Sequence, residues 1–445
     1  MNRPLHLVRN GIVLACTASL CAAGVVWAVR NPGGAVPQAV LALADAPRFV
    51  AATLANVTGD RFALSRTPDE FGAIPGYRPV ANHSRHRIEG LVVRTDAAHP
   101  PRRGWRILYG IFQIDGAPAY AALALSPAFA IEHVWMVGGG TSGDAVTPFE
   151  PAPYPHGFAL LRDGSILAGF DSNYRTVRVG WCGDVRWTSP AYLNHSISPT
   201  DDGRFAWGVA PGDTIQKIDI ATGRIVRTID MAALRRANPD VSALDMLRIN
   251  DNELGENSRT SARGSHPDPY HLNDVDPLPA ALATRFPQFR AGDLLLSFRS
   301  INLVAVVDPG TLRIKWLTND HSFRQHDPDW SPMGEISLLD NRMGQGFSRI
   351  IAFDPATGGH RTIVDGARLN FHTRIRGKHQ PLPDGGTLIT SSGQGRVLEV
   401  DRQGRVTASI LNHDPRTSGR NLLISETLLL PTPSPLFEKA RPCAD

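Results

Sequence analysis

Cysteine is scarce in this sequence: four among 445 residues, at positions 16, 21, 182 and 443, with no Cys-x-x-Cys pair. A zinc ribbon is thereby excluded. Cys16 and Cys21 sit in an apolar run. Cys182 and Cys443, which could pair only in an oxidising compartment, are expected as two buried free thiols. Dense basic blocks are also missing beyond the N-terminus. The formal net charge is +4, from 46 Lys and Arg against 42 Asp and Glu, which makes nucleic acid a poor partner. No Gly-x-Ser-x-Gly elbow and no His-Glu-x-x-His occurs, so the common serine esterases and the zincins are excluded. Gly138-Gly139-Gly140 is followed by no P-loop lysine and reads as a connector. Aromatic residues make up 7% of the chain without a regular Trp repeat, which argues against stacking of a redox cofactor.

Hydrophobic residues at 42% and charged residues at 20% rule out wholesale disorder and a polytopic membrane protein. One long apolar run remains. Residues 11–29, GIVLACTASLCAAGVVWAV, carry no charge and are flanked by Arg3, Arg9 and Arg30. This is the pattern of a signal peptide or, given its length, an uncleaved anchor that keeps the basic end inside and exports the rest. A lipoprotein signal at Cys16 fits poorly, because the run continues beyond it and Leu14 suits no lipobox. The expected location is the periplasm, attached to the inner membrane through residues 11–29. Residues 1–30 are expected as signal or anchor, and 31–85 as a Pro/Gly linker and short N-terminal extension with an amphipathic helix around Val40 to Leu54. The main domain is expected over 86–430, with a tail over 431–445.

From about residue 86, apolar runs of four to eight residues are broken by Asp-Gly and Pro-Asp-Gly turns, within a chain that spreads 41 Gly and 35 Pro along its length. That is an all-β signal. Aligned against itself, the chain repeats one unit that opens on a histidine: HGFALLRDGSILAGFD from His156, HSISPTDDGRFAWGV from His195, HDPDWSPMGEISLLDN from His326 and HQPLPDGGTLITSSG from His379. A looser copy starts at His271 and resumes at GDLLLSFRS, and GWRILYGIFQIDGAPAYAALALSPAFAIEHVWMV is a degenerate sixth. Each histidine unit is followed by two further strands around an Asp or Gly turn, as in LVAVVDPGTLRIKW. A repeat of about 40 to 55 residues with four short strands is the signature of a propeller blade, so the expectation is a six-bladed β-propeller. Residues 231–267 begin helically, end polar and are expected as an insertion over one face.

The first strand of a blade lines the central channel, so the repeated histidines should converge there. Asn273, Arg299 and several carboxylates share that frame. Such a ring could bind a metal through imidazoles with Asp274, Asp327 or Asp329, as in a lactonase-like propeller hydrolase. It could instead transfer an anionic group through a histidine nucleophile, or serve only as a binding or assembly module. An Asp near a turn is more often a backbone cap, and Arg342 in LLDNRM reads as a solvated loop residue.

YPHGFALLRDGSILAGFD, YHLNDVDPL with GDLLLSFRSINLVAVVDPGTLRIKWL, QHDPDWSPMGEISLLDN and LPDGGTLITSSGQGRVLEVDRQGRV together resemble the arylsulfotransferase family of exported bacterial proteins, over roughly residues 150–412. The resemblance implies a six-bladed propeller that moves a sulfuryl group from a small-molecule aryl sulfate donor to a phenolic acceptor, without a nucleotide sulfate donor, cofactor or metal. It implies that His326 is the nucleophile, that His156 and His271 are channel histidines, and that Asn273 and Arg299 bind substrate or the sulfuryl group. His379, which opens the last repeat, is expected to line the channel opposite His326. His195 is expected as a further substrate-binding position on its repeat frame alone. The chain departs from the family pattern in lacking two cysteines close in sequence and a substantial N-terminal β-domain, which marks a divergent branch.

Overall fold

The apolar runs that follow each turn become the middle strands of six small sheets, and in the computed structural model the chain is a six-bladed β-propeller. The described residues are 76–137, 154–170, 175–245, 269–344, 346–416, 420–438 and 443. Residues 11–29, the helix expected around Val40 to Leu54, the glycine connector and most of the expected insertion lie outside them. Among the described residues no helix is long and apolar enough to cross a membrane.

Blades II to V are each built from four consecutive strands, with innermost strands Pro155–Leu160, Asn194–Pro199, Leu272–Pro277 and His326–Trp330. Blade VI opens with Lys378–Pro381, and blade I takes its innermost strand, Ile424–Pro431, from the far end of the chain. These six strands touch one another in a closed ring around the channel. Middle strands such as Leu294–Phe298 and Leu303–Val307 are buried along their whole length, whereas outer strands such as Val185–Thr188 and Ile225–Ile229 are largely exposed. A sheet this small cannot cover its own two faces, so it must borrow its neighbours'. The core accordingly divides into six hydrophobic clusters, one in each gap between adjacent blades. The Asp-Gly turns make the short strands possible. Gly164 and Gly385 take left-handed φ of 81° and 84°, and Asp163 and Asp384 cap the amides of Ser165 and Gly386 at 3.0 and 3.1 Å.

The ring is fastened twice. In blade I, Ile424–Pro431 pairs with Gly104–Ile114, and in blade VI, Leu91–Thr95 and then Arg78–Pro79 extend the sheet beyond Val406–Asn412. Part of the segment expected as an extension before residue 86 thus belongs to the propeller. Ala81–Asn82 does too, pairing in parallel with Ala130–Met136 of blade I. In the expected tail, the Phe437 ring stacks on Trp105 at 4.1 Å. The free-thiol expectation is overturned: Cys182, in the turn before Val185–Thr188, is disulfide-bonded to Cys443 with 5.4 Å between their Cα atoms. The C-terminal strand returns the chain to the start of the ring, so a separation of 261 residues in sequence closes in space.

The described part of the expected insertion is a short helix, Met231–Ala237, capped by the Asp230 carboxylate on the Ala233 amide, and a 3₁₀ turn at Ser242–Asp245. Met231, Leu234 and Leu244 enter the core between blades III and IV, and Asn238 bonds Leu312 and Ile314 of blade IV.

Candidate active site

Each innermost strand of blades II to V carries an irregularity where its histidine unit begins. The register slips between Pro155 and Gly157, between Asn194 and Ile197, between Leu272 and Asp274, and between His326 and Asp329. His195, His271 and Asp327 take left-handed φ of 57°, 48° and 55°. Such residues cost about 1–3 kcal/mol each and persist where the surrounding fold over-determines them, most often at sites. Here the bulges turn the imidazoles toward one another. The His156 and His195 rings lie 4.1 Å apart and those of His195 and His271 lie 5.1 Å apart. Arg299 opens the turn after Leu294–Phe298. Its amide donates to the His271 carbonyl at 3.1 Å, and its side chain, 4% exposed, rests on the Met343 sulfur at 3.7 Å.

His326 completes the group. It is buried, with Arg299, His271 and His156 as its charged or chargeable neighbours. Burial first and Arg299 second hold its pKa well below the usual imidazole range, so it is neutral at pH 7. His195 is held down in the same direction by burial and then by His156 and His271. One residue that sequence reasoning missed sets the tautomer. Asn341 places both Nδ2 protons on backbone, donating to the carbonyls of Thr373 and Arg376 at 2.8 Å each, which leaves only Oδ1 for His326. The His326 Nδ1–H therefore donates to Asn341 Oδ1, at 2.6 Å. Nε2 keeps the lone pair and accepts a long bond, 3.3 Å, from the Arg376 amide. Asn273 supports the neighbouring residue: its Nδ2 donates to the Gln325 carbonyl at 2.9 Å, while its buried Oδ1 meets no hydrogen-bond donor among the described residues.

His379 is placed elsewhere. Its Nδ1 faces Asp327 at 3.0 Å and its Nε2 faces Ser337 Oγ at 2.8 Å, so both ring nitrogens are engaged by the protein. Around it lies a second polar group. Lys378 bridges Asp327 Oδ1 at 2.8 Å and Asp274 Oδ2 at 3.0 Å, with Asp276, Asp329 and Glu426 close enough to act on the same charges. Burial favours the neutral acid for Asp327, yet Lys378 and His379 outweigh it and keep that carboxyl below the usual range. Burial pushes Glu426 up to about 8 and Asp276 and Asp329 well above normal. Ligand atoms of Asp327, Asp329 and His379 lie within 4.8 Å of one another, a grouping that could hold a metal. The fit is poor, because the Asp327 oxygens already take Lys378, the His379 ring and the His379 backbone amide.

Residues 187–413, from the last strand of blade II through the core of blade VI, match the family described as Arylsulfotransferase (ASST). No curated protein matches the chain. Among solved structures the chain is similar to a protein of unknown function from Bacteroides caccae, at 12% identity over 74% of this chain and 99% of that one, with a TM-score of 0.45. It is also similar to virginiamycin B lyase from Staphylococcus aureus, at 10% identity over 57% and 69% with a TM-score of 0.35. Hydrazine synthase of Kuenenia stuttgartiensis is similar at 14% identity over 69% and 78%, with a TM-score of 0.41. At those scores the solved structures bear on no functional question. The matched segment is just over half of the chain and carries His195, His271, Asn273, Arg299, His326 and His379, and on that match the chain belongs to the arylsulfotransferase family.

Proposed function

We propose that this arylsulfotransferase moves a sulfuryl group from a phenolic sulfate ester to a second phenol through a sulfohistidine on His326. The observation that carries the reading is the neutral imidazole of His326, oriented by Asn341 beside Arg299. In the first half, the Nε2 lone pair attacks sulfur in line, the N–S bond forms, and the S–O bond to the aryl group breaks with its electrons leaving on the phenolate. The long bond from the Arg376 amide yields as sulfur approaches. The ring becomes positively charged, which strengthens the Nδ1–H bond to Asn341. Arg299 offsets charge on the sulfuryl oxygens. His156 or His271 passes a proton to the departing phenolate. In the second half it takes a proton from the entering phenol, whose oxygen attacks sulfur and returns His326 to its neutral form.

The test is peptide mass spectrometry at neutral to basic pH after mixing the protein with an aryl sulfate. A sulfuryl adduct is expected on the peptide holding Gln325 and His326, absent in His326→Ala, with phenol released in a burst before acceptor is added. Release without an adduct would remove the covalent step. A metal-dependent hydrolase, the alternative that the Asp327, Asp329 and His379 grouping fits poorly, is tested with a chelator. Turnover that a chelator leaves unchanged is expected; turnover lost to a chelator and restored by a divalent cation would favour the hydrolase.

Export to the periplasm, with residues 11–29 as the anchor, is part of the same proposal. The Cys182–Cys443 disulfide supports it, since such bonds persist mainly in oxidising compartments. Digestion of the propeller by protease added to spheroplasts is expected; protection would place it on the other side of the membrane.

A further inference from the structure

Arg342, expected as a solvated loop residue, has company. A cavity of about 570 Å³ runs along the outermost strand of blade V, His360–Asp365, toward the turn after Arg396–Val400 of blade VI. Five arginines line it: Arg342, Arg349, Arg361, Arg368 and Arg402. Two are neutralised within the protein. Arg349 Nε donates to Asp340 at 2.8 Å, and Arg361 forms a two-pronged pair with Glu335 at 2.9 and 2.6 Å. Among the described residues Arg342, Arg368 and Arg402 have no carboxylate partner, and Arg342 reaches only the Phe347 carbonyl, at 3.5 Å. The carboxylate that lines the cavity, Asp365, is occupied at 3.0 Å by the Ala367 amide, capping the short helix Gly366–Leu369.

Several arginines elsewhere on the surface have an acid beside them, as in Arg87 with Glu89, Arg178 with Asp163, Arg186 with Asp184 and Arg405 with Asp401. The cavity thus gathers three guanidinium groups that have no ion-pair partner among the described residues, with Asp365 as the lining carboxylate against them. Like charges held in a groove repel unless a counter-charge enters, and the guanidinium fork matches the oxygens of a phosphate or sulfate. We propose that this groove is an anion-binding site distinct from the channel, for a ligand presenting phosphate or sulfate oxyanions to Arg342, Arg368 and Arg402. Its lining lies mainly along the outermost strand of blade V and the turn after Arg396–Val400, whereas His326 lies on an innermost strand and Arg299 at the end of a middle one.

Titration calorimetry of the full chain with inorganic pyrophosphate at low salt tests the free-anion source. Sedimentation with phosphatidylglycerol vesicles against phosphatidylcholine vesicles tests a lipid headgroup as the source. The double variant Arg368→Glu, Arg402→Glu is expected to weaken the pyrophosphate interaction, or the preference for the anionic vesicle, on the order of tenfold or more. Aryl sulfate turnover should stay unchanged, which shows that the channel is not the site measured. Arg368→Gln with Arg402→Gln repeats the test if charge reversal impairs folding. Binding that depends on the arginines in either arm supports the site and identifies its source. The absence of arginine-dependent binding in both arms overturns the proposal.

Discussion

At the scale of single residues, the chemistry turns on which nitrogen of His326 carries a proton and whether the ring stays neutral. Burial and Arg299 both lower its pKa, so the folded value lies below the unfolded value of about 6.5. The stability this neutral ring contributes is present above that unfolded value and is lost as pH falls through the folded one. Turnover should accordingly show no loss from His326 between pH 7 and 6; an NMR titration that found the His326 ring gaining a proton in that range would overturn the neutral ring. Asn341→Ala removes the acceptor for Nδ1–H and takes one donor each from the Thr373 and Arg376 carbonyls. It is expected to lower kcat on the order of a hundredfold with KM changed by less than about threefold, as loss of an orienting partner does. An equal change in both parameters would reduce Asn341 to a structural brace. Asn341 was within reach of the repeat, since it follows Ile336–Asp340 as Arg299 follows Leu294–Phe298. An Asn aligned with an Arg does not announce itself, however, because only the hydrogen bonds show what it orients.

At the scale of strands, the repeated histidines of blades II to V come to one group and that of blade VI points elsewhere, and register explains the difference. Those four blades have a bulge in the innermost strand, but Lys378–Pro381 pairs with Thr387–Ser391 without a slip. The blade VI residue that holds the pairing position of His326 is therefore Lys378, opposite Thr390 as His326 is opposite Leu339. His379 lies one residue on, and a shift of one residue turns a side chain to another surroundings. A bulge of one residue leaves no mark in hydrophobic periodicity over strands this short. The C-terminal inner strand adds a further acid, Glu426, whose pKa burial raises from 4.5 to about 8. A raised carboxyl contributes stability below its unfolded pKa and loses it as pH rises through the folded value. Glu426→Gln should therefore gain melting temperature relative to the parent on going from pH 6 to pH 9. A difference that does not grow over that range would mean that water reaches the group freely.

At the scale of the molecule, six blades were legible because each middle strand is buried on both faces and reads as an unbroken apolar run between turns. Closure was not legible. Neither the pairing of Leu91–Thr95 with Val406–Asn412 nor that of Ile424–Pro431 with Gly104–Ile114 has a local signature, since backbone hydrogen bonds supply it. The Cys182–Cys443 pairing, set aside in favour of two free thiols, depends on the same return of the chain to the start of the ring. Deleting residues from 421 onward removes the inner strand of blade I and exposes the edge of Gly104–Ile114, so the truncated chain is expected to lose its cooperative melting transition and to aggregate. A truncated chain that melted as sharply as the parent would show that the remaining blades form a self-sufficient unit.

The fastening by Ile424–Pro431 also has a bearing on timing. Blade I is drawn from segments far apart in sequence, so no nascent chain that lacks Ile424–Pro431 can finish the ring. If the protein crosses a membrane as an extended thread, that order of events keeps the ring open until Ile424–Pro431 has been made.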